Sequence, residues 1–267
     1  MSKKLIICGM HRSGTSLITQ WLQACGLPIG DRLLDGDQSN FDGHFEDLDF
    51  LNFNTGLLKK NGLSWQGYSH KFVLHYQPEH CETIKKIVER KSRIYPQFGW
   101  KDPRNCLVLP LYASLTEEFD YFFIYRHYSE VTTSLLNREI REERKSEFSK
   151  GLIGKARFLW NNMQKERAIY QPRLTIFQNC WLDYNSKILD HYTRYGGLLF
   201  GLDFILQNDR LVFDMLVKRG YDLNYIEIKE FYNDSLMNRK TIIPLTNSSV
   251  TEADELLQLL DSHAISK

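Results

Sequence analysis

Gly9-Met10-His11-Arg12-Ser13-Gly14-Thr15-Ser16 follows the apolar run Leu5-Ile6-Ile7-Cys8 and opens a segment whose apolar residues, Leu17, Ile18, Trp21 and Leu22, recur at helical spacing. The order is strand, loop, helix. Two glycines that bracket a short loop let the backbone wrap an anion, and the first N–H groups of a helix, which have no partner inside it, point into the same space. The spacing matches the P-loop pattern G-x-x-x-x-G-K-[ST], except that Thr15 stands at the lysine position. Positive charge comes instead from Arg12, inside the loop, whose planar fork holds a tetrahedral oxyanion at two points. The loop is predicted to bind a phosphate or sulfate group through Arg12, Ser13, Gly14, Thr15 and Ser16.

A second constellation lies further along. Tyr121-Phe122-Phe123-Ile124-Tyr125 reads as a buried strand and runs into Arg126, after which Val131 and Leu135 resume helical spacing. An ATPase or GTPase places an aspartate near the end of such a strand to hold Mg²⁺; this strand delivers an arginine. Ser134 lies on the helix that follows, and Arg138 follows Ser134 by one helical turn on the same face. Arg126, Ser134 and Arg138 are therefore predicted to close on a second phosphate, with no metal ligand in the set. A third segment, Gly99-Trp100-Lys101-Asp102-Pro103-Arg104, puts a lysine at the end of a short strand, just before a proline break.

These three segments together resemble the sulfotransferases that use 3′-phosphoadenosine 5′-phosphosulfate. Arg12-Ser13-Gly14-Thr15-Ser16 is similar to their 5′-phosphosulfate loop, and Arg126 with Ser134 to their 3′-phosphate motif. The Lys101-Asp102-Pro103 segment resembles tyrosylprotein sulfotransferases and a bacterial group whose proteins begin Gly-Met-His-Arg-Ser-Gly-Thr-Ser. Arg138 sits where the tyrosylprotein enzymes carry a cofactor-binding arginine. The likeness covers residues 4–25 and 98–139 well, Phe41 to Phe50 loosely, and the region beyond about residue 180 hardly at all. It implies a P-loop-like α/β three-layer sandwich with a mostly parallel central sheet flanked by helices. It also implies transfer of a sulfuryl group to an acceptor hydroxyl, leaving 3′,5′-bisphosphoadenosine.

The resemblance gives Arg12 and Lys101 the task of stabilising charge on the leaving 5′-phosphate, in an in-line displacement where positioning and electrostatics dominate. The base is left between two residues of Phe41-Asp42-Gly43-His44-Phe45-Glu46-Asp47. Glu46 matches a glutamate of the bacterial group. His44 has the better unperturbed pKa for the task. Carbohydrate, lipid, peptide and small-molecule acceptors all stay open. Two other functions compete: a P-loop nucleotide kinase, against which the missing lysine and missing strand-end aspartate weigh, and a noncatalytic nucleotide-binding protein on the same fold.

Composition sets the remaining bounds. A 267-residue chain with 42% hydrophobic residues can bury one substantial core, so a single domain over 1–267 is expected, with about 232–267 as an extension packed on it. A formal net charge of +1 argues against nucleic acid as a partner. Cys8, Cys25, Cys81, Cys106 and Cys180 show no metal-ligand spacing, and their odd number suits a reducing compartment. A first strand at about Lys4 leaves no room for a leader, and no run approaches the roughly 20 apolar residues of a membrane span; a cytoplasmic protein is expected. Helices are predicted to about Cys25, over Glu46 to Lys60, from Pro78 to near Tyr95, and over a long stretch marked by Leu152, Ala156, Leu159, Trp160 and Met163. Leu174 to Gln178 reads as a strand. Arg138 to Lys150, a run of mixed charge, is either a solvated face or a lid over the acceptor. Leu256, Leu257 and Leu260, on a helix over Thr251 to Leu260, serve either core packing or a homodimer contact.

Overall fold

The chain alternates strands and helices in a computed structural model that describes residues 2–34, 45–115, 118–231 and 249–265, apart from the side chains of 156–157, 159–169 and 249. Four strands form the sheet among these residues: β1 (Lys3–Cys8), β2 (Gln97–Lys101), β3 (Asp120–Tyr125) and β4 (Leu198–Gly201). Their order is β2-β1-β3-β4 and every pairing is parallel. Side chains alternate across such a sheet, so each face needs its own cover. Ile6, Cys8, Trp100, Phe123 and Leu199 point into one core. Leu5, Ile7, Phe122, Ile124 and Phe200 point into the other.

The second core is closed by α1 (Thr15–Ala24), α7 (Leu202–Gln207) and α8 (Asp209–Lys218), through residues such as Trp21, Ile205 and Leu216. The first is closed by α2 (Leu48–Lys60), α3 (Pro78–Ile94), α4 (Asn105–Ala113), α5 (Tyr128–Phe148), α6 (Gly151–Tyr195) and α9 (Ser249–His263). The result is the three-layer α/β/α sandwich expected, with a P-loop-like connection from the inner strand β1 into α1. Because all four strands run the same way, the chain leaves β1, β2, β3 and β4 at one edge of the sheet, where ligands of open α/β folds bind. Gly9, Asp102, Arg126 and Leu202 are the first residues beyond those ends.

One expected element is overturned. Leu174 to Gln178 is not a strand but part of α6. Its β-branched Thr175 and Ile176 suggest extended backbone, yet Leu174, Phe177, Trp181, Tyr184 and Ile188 recur at helical spacing and are all buried, while Ile176 is 53% exposed on the opposite face. Pro172 is accommodated within the same helix. The fourth strand is Leu198–Gly201 instead. The charged run after Arg138 continues α5 with 141–146 exposed, a solvated helix face from which Glu142 lines the cleft described below. Leu260 is buried in the first core and Leu256 and Leu257 pack against it, so that stripe serves packing.

Candidate functional site

Arg12 lies in the left-handed region at φ 69° and Gly14 at φ 87°, so the loop coils at the end of β1 before α1 begins at Thr15. Only glycine fits at 14: a Cβ there would stand 2.6 Å from Leu202 Cδ1. A non-glycine residue held with positive φ costs free energy and marks functional loops. Inside this turn the Ser13 hydroxyl is buried with no hydrogen-bond partner among the described residues.

Around the loop the two predicted anion groups merge into one. Arg12 Nε donates to Ser134 Oγ at 2.9 Å, and Arg126 Nη1 reaches the Arg12 carbonyl at 3.4 Å. Arg126 Nε is paired with Glu130 at 2.9 Å, while its Nη2 is buried with no hydrogen-bond partner among the described residues. Burial, and then the nearby Arg138, Arg141 and Arg126, push the Arg12 guanidinium down to about 10. It stays charged at neutral pH among the neighbouring guanidinium groups. Arg138 is the first of the charges that act on Arg12. It donates to Tyr68 Oη at 2.8 Å and lines a cleft with His11, Glu46 and Arg104.

Lys101 is held at the end of β2, 2% exposed, with Nζ 3.1 Å from Ser16 Oγ and 3.0 Å from Glu46 Oε1. The other Glu46 oxygen faces Arg104 Nη2 at 3.2 Å. Arg104 is further fixed by Asp102, whose Oδ1 accepts from Arg104 Nε at 2.7 Å and from the Arg104 N–H at 2.9 Å. Glu46 is positioned by its neighbour Asp47, which caps α2 by accepting from Asp49 N at 2.9 Å. Lys91 of α3, fully buried, pairs with Asp47 at 2.5 Å and Asp49 at 3.0 Å, and also with Asp31. Those three carboxylates converge, and the Lys91 ammonium sits among them.

The expected residues Arg12, Ser13, Gly14, Thr15, Ser16, Glu46, Lys101, Arg126 and Ser134 thus gather at one edge of the sheet. His44 lies outside the described residues. Two further groups belong here that the sequence did not single out. Arg104 needs Glu46 beside it before its role is visible. His11 lines the cleft with its Nε2 2.9 Å from the Gln66 carbonyl; burial, then Arg104, Arg138 and Lys101, hold its pKa well below the usual value, so the ring is neutral. Since a carbonyl only accepts, Nε2 carries the proton. The cleft, about 390 Å³, is walled by His11, Glu46, Trp65, Arg104 and Arg138. A second cavity of about 410 Å³ lies between the ends of β3 and β4 and α9, bounded by Arg126, His127, Gly201, Phe204 and Asp261.

Fold and site define an α/β protein with a P-loop-like β1–α1 connection, beside which arginines and a strand-end lysine gather. No protein-family model matches the chain, and no curated protein sequence does. Among solved structures it is similar to a sulfotransferase domain from the curacin biosynthetic pathway, at 13% identity over 98% of this chain and 90% of that one, with a TM-score of 0.48. No helix among the described residues is long and apolar enough to cross a membrane.

Proposed function

We propose that this chain is a sulfotransferase that moves a sulfuryl group from 3′-phosphoadenosine 5′-phosphosulfate to an acceptor hydroxyl. The observation that carries the proposal is the concentration of cations at the loop, where Arg12 is crowded by Arg138, Arg141 and Arg126, together with Ser13 Oγ and Arg126 Nη2, both buried without a hydrogen-bond partner among the described residues. Buried donors of this kind are costly unless a ligand satisfies them. The cofactor supplies the transferable sulfuryl group on a 5′-phosphate leaving group, and these donors fit its anionic oxygens. Ser13, Gly14, Thr15 and Ser16 bind the 5′ end at the start of α1. Arg126 and Ser134 hold the 3′-phosphate, and Arg138 serves the side that faces the acceptor cleft.

Arg12 and Lys101 stabilise the charge that grows on the leaving oxygen. Glu46 accepts the proton of the attacking hydroxyl as the oxygen–sulfur bond forms and the bond from sulfur to the 5′-phosphate breaks. Lys101 and Arg104 occupy both Glu46 oxygens, and an anion at the loop competes for those two cations. A kinase reading is weaker: β3 ends in an arginine, and Asp102 at the end of β2 is already engaged by Arg104 and by Asn54 Nδ2 at 3.0 Å. The five cysteines are free, which fits the cytoplasm. Calorimetry with EDTA present tests the reading. Binding of 3′,5′-bisphosphoadenosine without metal is expected; tighter binding of ATP with Mg²⁺ overturns it.

A further inference from the structure

The turn Ser64–Gly67, between α2 and α3, is held by three successive backbone carbonyls. Arg104 Nη1 donates to Trp65 O at 2.8 Å, His11 Nε2 to Gln66 O at 2.9 Å, and Tyr184 Oη to Gly67 O at 2.9 Å. Gly67 N closes the turn on Ser64 O at 3.0 Å. Gly67 has φ +68°, and a Cβ there would meet Tyr184 Oη at 2.6 Å. Arg104 is 3% exposed and Tyr184 is fully buried, so these anchors are rigid. The turn is fixed at every residue that follows Ser64.

Its largest side chain nonetheless takes no part in the core. The Trp65 indole is 67% exposed and forms part of the wall of the cleft that also holds Glu46, His11 and Arg104. Burying an indole is among the larger apolar gains a fold can make. A pinned backbone that presents one outward is pre-organised to meet a ligand at little entropic cost. The wall of the same cleft also carries Asn52, Thr55 and Gln66, with the Thr55 hydroxyl turned back onto the Leu51 carbonyl at 2.8 Å.

We propose that Trp65 is a stacking platform for a saccharide, so that the acceptor hydroxyl belongs to a sugar ring; this assignment rests on the sulfotransferase reading. A pyranose has an apolar C–H face that lies on an indole and an edge of hydroxyls that amides and a carboxylate can bind. A flat phenol or an alkyl chain matches the indole but offers no row of hydroxyls to the Asn52 and Gln66 amides on the same wall. The cleft's volume is in the range of small-molecule sites, enough to seat a sugar with its hydroxyl toward Glu46.

Calorimetry on the full chain saturated with 3′,5′-bisphosphoadenosine, using cellotriose, chitotriose and maltotriose against 4-nitrophenol and a tyrosine-containing hexapeptide, tests this. At least one trisaccharide is expected to bind, with affinity falling about tenfold in Trp65→Ala and less in Trp65→Phe, while the bisphosphate affinity stays within about twofold. The assignment is overturned if none of the three saccharides binds, if Trp65→Ala leaves their affinity unchanged, or if the phenol or the peptide is the ligand whose binding depends on Trp65. If a saccharide binds through Trp65 but the bisphosphate does not bind at all, the platform stands and the sulfotransferase reading falls.

Discussion

Arg12 holds its charge at a backbone position that favours glycine, which implies that the guanidinium is worth the strain. Arg12→Ala removes one transition-state donor and is expected to slow single-turnover transfer at saturating cofactor about a hundredfold, equivalent to about 3 kcal/mol. A normal rate in that mutant contradicts the role given to it. Arg126→Ala should act differently. It removes a guanidinium that lies beside the Arg12 carbonyl, so cofactor affinity should fall while the rate at saturation changes little. Glu46→Gln keeps shape and removes basicity. Acceptor sulfation should be lost with bisphosphate affinity nearly unchanged, and a mutant that still transfers sulfate moves the base elsewhere, with His44→Asn as the next variant to assay.

Two elements carry predictions of their own. On α3, Lys91 ties the start of α2, and hence Glu46, to the helix behind it. Lys91→Met leaves the fully buried Asp47 carboxylate without its cation. Stranding one partner of a buried pair typically costs about 3 kcal/mol, which for a domain of this size is a melting-point drop of roughly 6 °C; an unchanged melting point sinks the idea. On α6, His191 packs edge-on against Tyr121 at 4.3 Å between ring centroids, with its Nε2 buried and unpartnered. Burial lowers its pKa to about 4. The unfolded chain takes up a proton near pH 6.5 and the folded chain does not. The stability from the neutral ring is therefore fully present above pH 6.5 and is lost as the pH falls toward 4. Denaturant midpoints should decline over that window, and His191→Phe should flatten the decline. His11, held neutral by burial and by Arg104, Arg138 and Lys101, contributes in the same direction.

At the scale of the whole molecule, α9 closes the first core against the sheet edge where the site lies. Tyr125 Oη donates to Asp261 at 2.6 Å, Tyr128 Oη to Asp254 at 2.6 Å, and Ile265 N to Leu199 O at 3.0 Å. The tyrosines leave the end of β3 and the start of α5, so this helix clamps the Arg126 corner and forms one wall of the second cavity. Replacing both Asp254 and Asp261 by alanine leaves two tyrosine hydroxyls short of acceptors and is expected to cost about 2 kcal/mol in all. It should also weaken bisphosphate binding through the loosened Arg126 corner. Thermal unfolding and calorimetry on the double mutant check both, and full affinity in a destabilised mutant separates α9 from the site.

The strand–loop–helix at Gly9 to Ser16, the buried aromatic strand before Arg126 and the lysine at the end of β2 were legible in the sequence, because each is a local pattern of apolar spacing, glycine and proline. Parallel strands then bring their ends to one edge, so the gathering of Arg12, Lys101 and Arg126 followed from topology. Local pattern misled at Leu174 to Gln178, where five residues suit a strand and only the buried face of a 45-residue helix decides otherwise. Pairings between distant residues had no local trace. Arg12 with Ser134, Glu46 between Lys101 and Arg104, and the turn pinned by His11, Arg104 and Tyr184 join segments that meet only when the sheet and its helices pack. Sequence determined the residue types of the site, since charge and spacing are written residue by residue. Tertiary structure decided which charges are compensated and which stay short of a partner, because burial and neighbouring charge exist only in the folded chain.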